Sequence, residues 1–313
     1  MYSYDEFKEK MIRELPAALG DLFPNYKVRN MPVTKRGKVK DGFCLFSEDS
    51  KDGTQIMPTL YFDDIYKMYS ESGDYEMELF RAAQSMKLGL RESTKFRGNV
   101  DVSKMRERIV FQLINTSGNE SILNDVPSRR FLDLSIIYRW AVYVDEHGIS
   151  STLITDELAE HIGITEEELF RIACENTERI MPARILDMDD MIASILNRDS
   201  DIDLEELRSV LGGHMKMHLI TNICGTIGAS VLLYDKVLSD LADKLRSDIY
   251  ILPSSVNEVI AVSASNADPG QLLEMVRHVN ATEVPQEYFL SDNIYYYSRK
   301  ACRLYTVASD MVV

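Results

Sequence analysis

The residues most able to do chemistry at one place in this chain are Ser254, Ser255 and Glu258, which follow Pro253 in the run PSSVNE. A serine hydroxyl becomes a nucleophile when a base takes its proton and a third group orients that base. Such a trio would make the chain a hydrolase with its site at the Pro-Ser-Ser turn. The sequence does not complete the set: no Gly-x-Ser-x-Gly elbow is present, and no spacing rule brings a base such as His278 to the turn. Serines after a proline also have a plainer use, since their hydroxyls bond to nearby turn backbone.

Other constellations fall short in similar ways. His214 and His218 have the i, i+4 spacing of a helical metal site, but Met215, Lys216 and Met217 stand between them, with no glutamate base. The run HLITN reads as strand, where four residues span about 13 Å, too far to hold one ion. Asp199, Asp201 and Asp203 have the spacing of a calcium loop, yet Leu204 and Val210 take the places of its turn glycine and its bidentate glutamate. Cys44, Cys174, Cys224 and Cys302 are scattered, so neither a zinc knuckle nor a redox pair is indicated. Cys224 lies near Gly225 and Gly228 and reads as a small buried residue before a turn, while GTIG lacks the Gly-Lys-Ser/Thr of a phosphate loop. No metal and no cofactor is expected.

Three features could bind rather than react. Residues 155–172 have the outline of a helix-turn-helix, with Ala159 in the first helix, Gly163 at the turn, and Leu169 and Ile172 on the second. The second helix opens on Glu166-Glu167-Glu168, which would face phosphates with carboxylates, so a DNA-binding regulator is a lesser alternative. Lys27, Arg29, Lys35, Arg36, Lys38 and Lys40 form a basic cluster, able to hold an acidic partner or simply to guard a hairpin edge. Tyr295, Tyr296 and Tyr297 with Arg299 and Lys300 could stack on a peptide if one face of their strand were open. Asn257, Tyr295, Tyr297, Lys35 and Arg36 are thus the candidate partner-binding residues.

The elements that must position these groups can be read from hydrophobic period. Residues 4–19 read as a helix with Phe7, Met11 and Leu15 on one face, and 26–46 as a hairpin. The segment 57–69 gives a strand end and a short helix, and 74–88 a second helix. The polar, glycine-punctuated stretch 89–101 is the candidate hinge. Residues 131–144 read as a central strand, and Thr165 with Glu168 as a capping box opening a helix. Residues 187–213 read as an acidic helical connector capped by Gly212-Gly213. A strand at 229–234, a helix capped by Asp235, and a hairpin around Pro253-Ser254-Ser255 follow. Asp268-Pro269 opens another helix, and 293–307 closes as one strand. The fold class expected is α+β, a mixed, largely antiparallel sheet packed with helices. Residues 1–95 would form a helix–hairpin–helix region and 96–313 a larger α+β region, unless the two are one continuous domain.

Composition bounds the setting. The 313 residues carry 50 acidic against 35 basic side chains, a formal charge of −15, which on average repels phosphate backbones. The N-terminus is charged and lacks a signal-peptide core, and the most apolar run, LSIIYRWAVYV, contains Arg139 and is too short to span a bilayer. A cytoplasmic location, no membrane association and a protein partner are expected, with nucleic acid disfavoured.

The block GASVLLY, LRSDIYILPSS and EVI, in that order within 228–260, resembles a bacterial family, the domain of unknown function 5688. The segments 57–66, 130–144, 167–182 and 275–297 agree in the same order along nearly the whole chain. In the family pattern a histidine precedes the glutamate after Pro-Ser-Ser; here Asn257 holds that place, so no role resting on that histidine carries over. The resemblance implies a cytosolic bacterial protein associated with mobile genetic elements and no established activity. The reading that remains is a non-enzymatic interaction or regulatory module.

Overall fold

The computed structural model describes residues 1–20, 26–31, 33–35, 38–47, 59–94, 105–145, 148–189 and 216–307. The chain divides into two compact units, Met1–Asp101 and Val102–Val313. Both combine helices with antiparallel strands, so the fold is α+β.

The first unit opens with α1 (Tyr4–Ala18), held at its start by a reciprocal capping box in which Ser3 and Glu6 each cover the other's backbone N–H. Phe7, Met11 and Leu15 are fully buried along one stripe, and Pro16 is tolerated in the last turn. Strand β1 (Tyr26–Asn30) is followed by a small ribbon, β2 (Val33–Lys35) with β3 (Lys38–Lys40). β1 then pairs with β4 (Gly42–Ser47), and β5 (Thr59–Tyr61) adds to the other side of β4. Helix α2 (Phe62–Ser72) starts directly from β5 and stops at Gly73, whose φ of 69° is the left-handed cap that glycine accepts at no steric cost. Helix α3 (Tyr75–Thr94) follows. The core joins α1, β4, α2 and α3, with Phe43 stacked on Phe62 at 4.1 Å. The segment expected as a hinge, 89–101, therefore begins as helix through Thr94.

The second unit contains two sheets. In the smaller, the twelve-residue strand β8 (Leu134–Asp145) is central. β6 (Ile109–Asn115) lies along one side of it, after which come the short helix α4 (Glu120–Leu123) and β7 (Ser128–Phe131). β7 and β9 (Gly148–Leu153) share the other side of β8 end to end. Phe131 thus belongs to β7, and the run expected as a single strand over 131–144 is broken by a turn at Leu132, φ 56°. Helices α5 (Asp156–His161) and α6 (Glu166–Ile180) follow, α6 with the Thr165/Glu168 capping box.

The larger sheet is antiparallel throughout, in the order β10-β11-β13-β12-β14-β15. Its strands are β10 (Ala183–Asp187), β11 (Met217–Asn222), β12 (Ile249–Leu252), β13 (Val259–Ser263), β14 (Tyr295–Ser298) and β15 (Arg303–Thr306). One face, with Ile220, Ile249, Ile251, Ala261 and Tyr295, shares a core with Phe111 and Tyr138 of the smaller sheet, Leu169 of α6, and Leu238 and Leu241 of α7 (Val237–Leu245). The other face is covered by α8 (Pro269–Thr282) through Leu272, Leu273 and Val276. Asp268 caps α8 and Pro269 takes its first turn, as expected.

Three further expectations need correction, and a fourth shifts by one residue. Residues 229–234 form no strand; Gly228–Leu233 is a 3-10 helix entered through Ile227 at φ 49°. Gly228 through Leu232 are all buried, so the run has no polar face whose period would separate helix from strand. Asp235 does not cap α7, which starts at Lys236 in a left-handed conformation with no side-chain cap bond. The expected terminal strand is a hairpin, β14 and β15, turning at Arg299–Cys302. Asp187 is the last residue of β10, and the helical connector expected from 187 begins one residue later, with Met188 and Asp189 helical; 190–215, with the Gly212-Gly213 cap, lie outside the described residues.

Candidate functional site

At the Pro-Ser-Ser turn the Ser255 and Asn257 side chains are engaged in structure. The buried Ser255 hydroxyl oxygen accepts from Asn257 N–H at 3.0 Å. The Asn257 side-chain oxygen accepts from Ile227 N–H at 3.1 Å, and its backbone carbonyl accepts from the Thr221 hydroxyl at 2.7 Å. The Ser254 carbonyl accepts from Leu290 N–H. Gly228 is wedged into this knot: a β-carbon there would lie 2.1 Å from both the Asn257 carbonyl and the Thr221 hydroxyl oxygen. Glu258 is half-buried and makes no hydrogen bond, and His278, exposed on α8, makes none to the turn. The structure therefore uses Ser255 and Asn257 as a fastening of the β12–β13 hairpin to β11 and the 3-10 helix, with Ser254 and Glu258 beside them and no serine–base pair. Cys224, buried, sits in the same knot with its N–H on the Asn222 side-chain oxygen.

Tyr295 and Tyr297 are also corrected. Both face the core, Tyr295 with no exposed surface, so the docking face expected of them is absent and Tyr296 is the outward residue. Tyr295 donates to Asp133 at 2.6 Å, and the other oxygen of Asp133 accepts from Ser291 at 2.6 Å and Asn293 at 3.0 Å. Burial, with the carboxylate beside it, pushes the Tyr295 hydroxyl far above its ordinary pKa, so it stays a donor. Asp133 sits in the β7–β8 turn, and these three bonds tie the smaller sheet to the larger.

His218 is buried in β11 opposite Asp187, 3.9 Å away, with Nδ1 lacking a partner. His214 lies outside the described residues, as do Asp199, Asp201 and Asp203. Among the described residues no three His, Cys, Asp or Glu gather as a metal-holding group.

The helix-turn-helix outline does place two helices, but Glu166 turns inward. It accepts a two-pronged pair from Arg129 at 3.0 and 2.9 Å and a bond from Tyr138, while Arg129 lies over Phe170 at 4.1 Å. In the basic cluster Lys27 and Arg29 are exposed on β1, and Lys40 pairs with Asp64 at 3.2 Å. Lys35 sits opposite Lys38 in the β2–β3 ribbon, and Arg36 lies outside the described residues.

A cleft of about 700 Å³ opens at the end of the larger sheet where β12 begins and β13 and β14 finish. The end of α7 supplies Asp243 and Arg246, the turn into β12 supplies Ser247 and Asp248, and the strands supply Tyr250 and Tyr296. The β14–β15 turn supplies Arg299 and Lys300. The Tyr250 and Tyr296 rings lie 5.4 Å apart and form an aromatic wall. One Asp243 oxygen accepts from Arg299 at 2.9 and 2.6 Å. Asp248 accepts from the Tyr296 hydroxyl at 2.6 Å and from Arg299 N–H at 2.8 Å. The Tyr296 bond holds the Asp248 carboxyl below its usual range and pushes the Tyr296 hydroxyl up to about 12. Burial raises Tyr250 as well, and its hydroxyl makes no hydrogen bond. Arg246 and Lys300 are exposed, and neither side chain has an ion pair or hydrogen bond.

Tyr296, Arg299 and Lys300 were legible as one aromatic and basic set. Asp243, Arg246, Ser247, Asp248 and Tyr250 were not, because β12 and the end of α7 meet β14 only through the β12–β14 pairing. No helix among the described residues is long and apolar enough to cross a membrane. No curated protein and no solved structure matches the chain. A family model described as a family of unknown function, DUF5688, matches residues 4–299, and the chain belongs to that family.

Proposed function

We propose that the protein is a non-enzymatic interaction module of the bacterial cytoplasm that holds a segment of a partner protein in the α7–β12–β14 cleft. One contrast carries this reading. At the Pro-Ser-Ser turn the Ser255 and Asn257 side chains and the Thr221 hydroxyl are engaged in internal bonds. In the cleft, Arg246, Lys300 and the Tyr250 hydroxyl are donors with no internal acceptor. Unused donors beside an aromatic wall suit recognition, where a few placed polar groups fix orientation and rings supply contact area. A shallow, open cleft with no paired nucleophile and base supports binding over turnover.

Affinity capture from native lysate with three proteins tests this: wild type, Arg246→Glu/Lys300→Glu, and Ser255→Ala. The reading expects a stoichiometric partner held by wild type and by Ser255→Ala and lost by the cleft variant. A partner held equally by all three, or lost only in Ser255→Ala, would place binding elsewhere.

A further inference from the structure

We infer that the group anchoring the occupant of this cleft is an anion, a carboxylate or phosphate carried on an acidic peptide segment; this rests on the cleft being the binding site. The lining residues are more basic than the chain as a whole. Three cations, Arg246, Arg299 and Lys300, face two acids, Asp243 and Asp248. Each acid already accepts from internal donors. Asp243 takes the Arg299 guanidinium, and Asp248 takes the Tyr296 hydroxyl and the Arg299 backbone N–H. Arg246 and Lys300, from different elements, have neither an ion pair nor a hydrogen bond, and the lining as a whole keeps a charge of +1.

Their placement keeps them available. Arg246 caps α7 in the left-handed conformation, φ 54°, which ends the helix at that residue. Lys300 sits in the β14–β15 turn, one residue beyond the arginine that Asp243 immobilises. Two cations sharing a concavity repel each other, and an anion between them removes that cost while satisfying their donors. The Tyr250 hydroxyl is a third donor on the same wall. A cationic segment would find the second Asp243 oxygen, but it would sit beside the Arg299 guanidinium and face Arg246 and Lys300.

The whole chain carries −15, so the attraction is local and opposes the average field. A duplex presents phosphates along its whole length and would meet that acidic surface. A short acidic peptide needs only the local pair, which favours it over nucleic acid.

The test uses the full chain and fluorescein-labelled hexaglutamate, hexalysine and a short DNA duplex, read by anisotropy. Hexaglutamate is expected to bind wild type, to be displaced by inorganic phosphate, and to weaken severalfold between about 0.05 and about 0.3 M salt. Binding should fall about tenfold or more in Arg246→Glu/Lys300→Glu and in the milder Arg246→Gln/Lys300→Gln, and stay unchanged in Lys236→Gln outside the cleft. Both altered side chains are exposed and unpaired, so melting curves matching wild type would confirm that each variant folds. Equal hexaglutamate binding by wild type and both charge variants would overturn the inference, as would preference for hexalysine or the duplex. A lysate partner lost on blocking the cleft by Tyr296→Arg but retained by Arg246→Gln/Lys300→Gln would keep the binding-module reading and overturn the anion.

Discussion

At the residue scale, the buried polar groups carry the account. Asp133 gathers Ser291, Asn293 and Tyr295, and Ser291 and Tyr295 have no exposed surface. Removing an acceptor from buried donors costs more than the bond itself, because each donor is then stranded away from water. Asp133→Ala is therefore expected to lower stability by about 3 kcal/mol, and Tyr295→Phe by about 1 kcal/mol, in urea unfolding. Equal and small losses would show that the triad does not fasten the two sheets. His218 gives a pH signature. Burial first, with Lys244 and Lys216 adding to it and Asp187 and Asp189 opposing it, holds its pKa below 6.5. The unfolded chain then takes up the proton first as pH falls through 6.5, so the stability this group contributes is full above that pH and lost below it. Wild type is expected to lose stability more steeply between about pH 7 and about pH 5 than His218→Gln, and parallel slopes would contradict this. None of these pairings was legible in the sequence: Asp133 and Ser291 are distant in the chain, and only the assembled sheets bring them together.

At the element scale, local signals were read correctly where they are local. The capping box at Thr165, the stripe Phe7, Met11, Leu15, and Asp268-Pro269 each act within one or two turns, and each appears as read. Errors arose where burial is complete. The Gly228–Leu233 segment is apolar because it is enclosed, and an enclosed 3-10 helix carries the same composition as a core strand. At β14 three successive tyrosines hide the period of two, and the fold turns Tyr295 and Tyr297 inward and Tyr296 out. Gly228 shows why this element is fixed in place. A β-carbon at 2.1 Å from backbone and hydroxyl oxygens cannot be relieved by a rotamer change, so Gly228→Ala is expected to cost about 3 kcal/mol. Thermal melts check this, and a melting temperature matching wild type would mean that the knot between the Pro-Ser-Ser turn and the 3-10 helix opens readily to admit a methyl group.

At the scale of the whole molecule, each of the two units, Met1–Asp101 and Val102–Val313, has a core of its own, and the cleft belongs entirely to the second. An acidic chain that leaves two cations unmatched in one cleft has a polarity that composition alone conceals, since a net charge sums over sites that never meet. The sequence argued against enzyme motifs and toward binding, but it pointed to Tyr295 and Tyr297, which the fold buries, and to Asn257, which the fold uses to hold a turn. The most direct measurement is hydrogen exchange of the full chain with and without its captured partner. The account predicts new protection at residues 243–250 and 296–300, with the 253–258 turn unchanged. Protection centred on 253–258, or confined to 1–101, would contradict it.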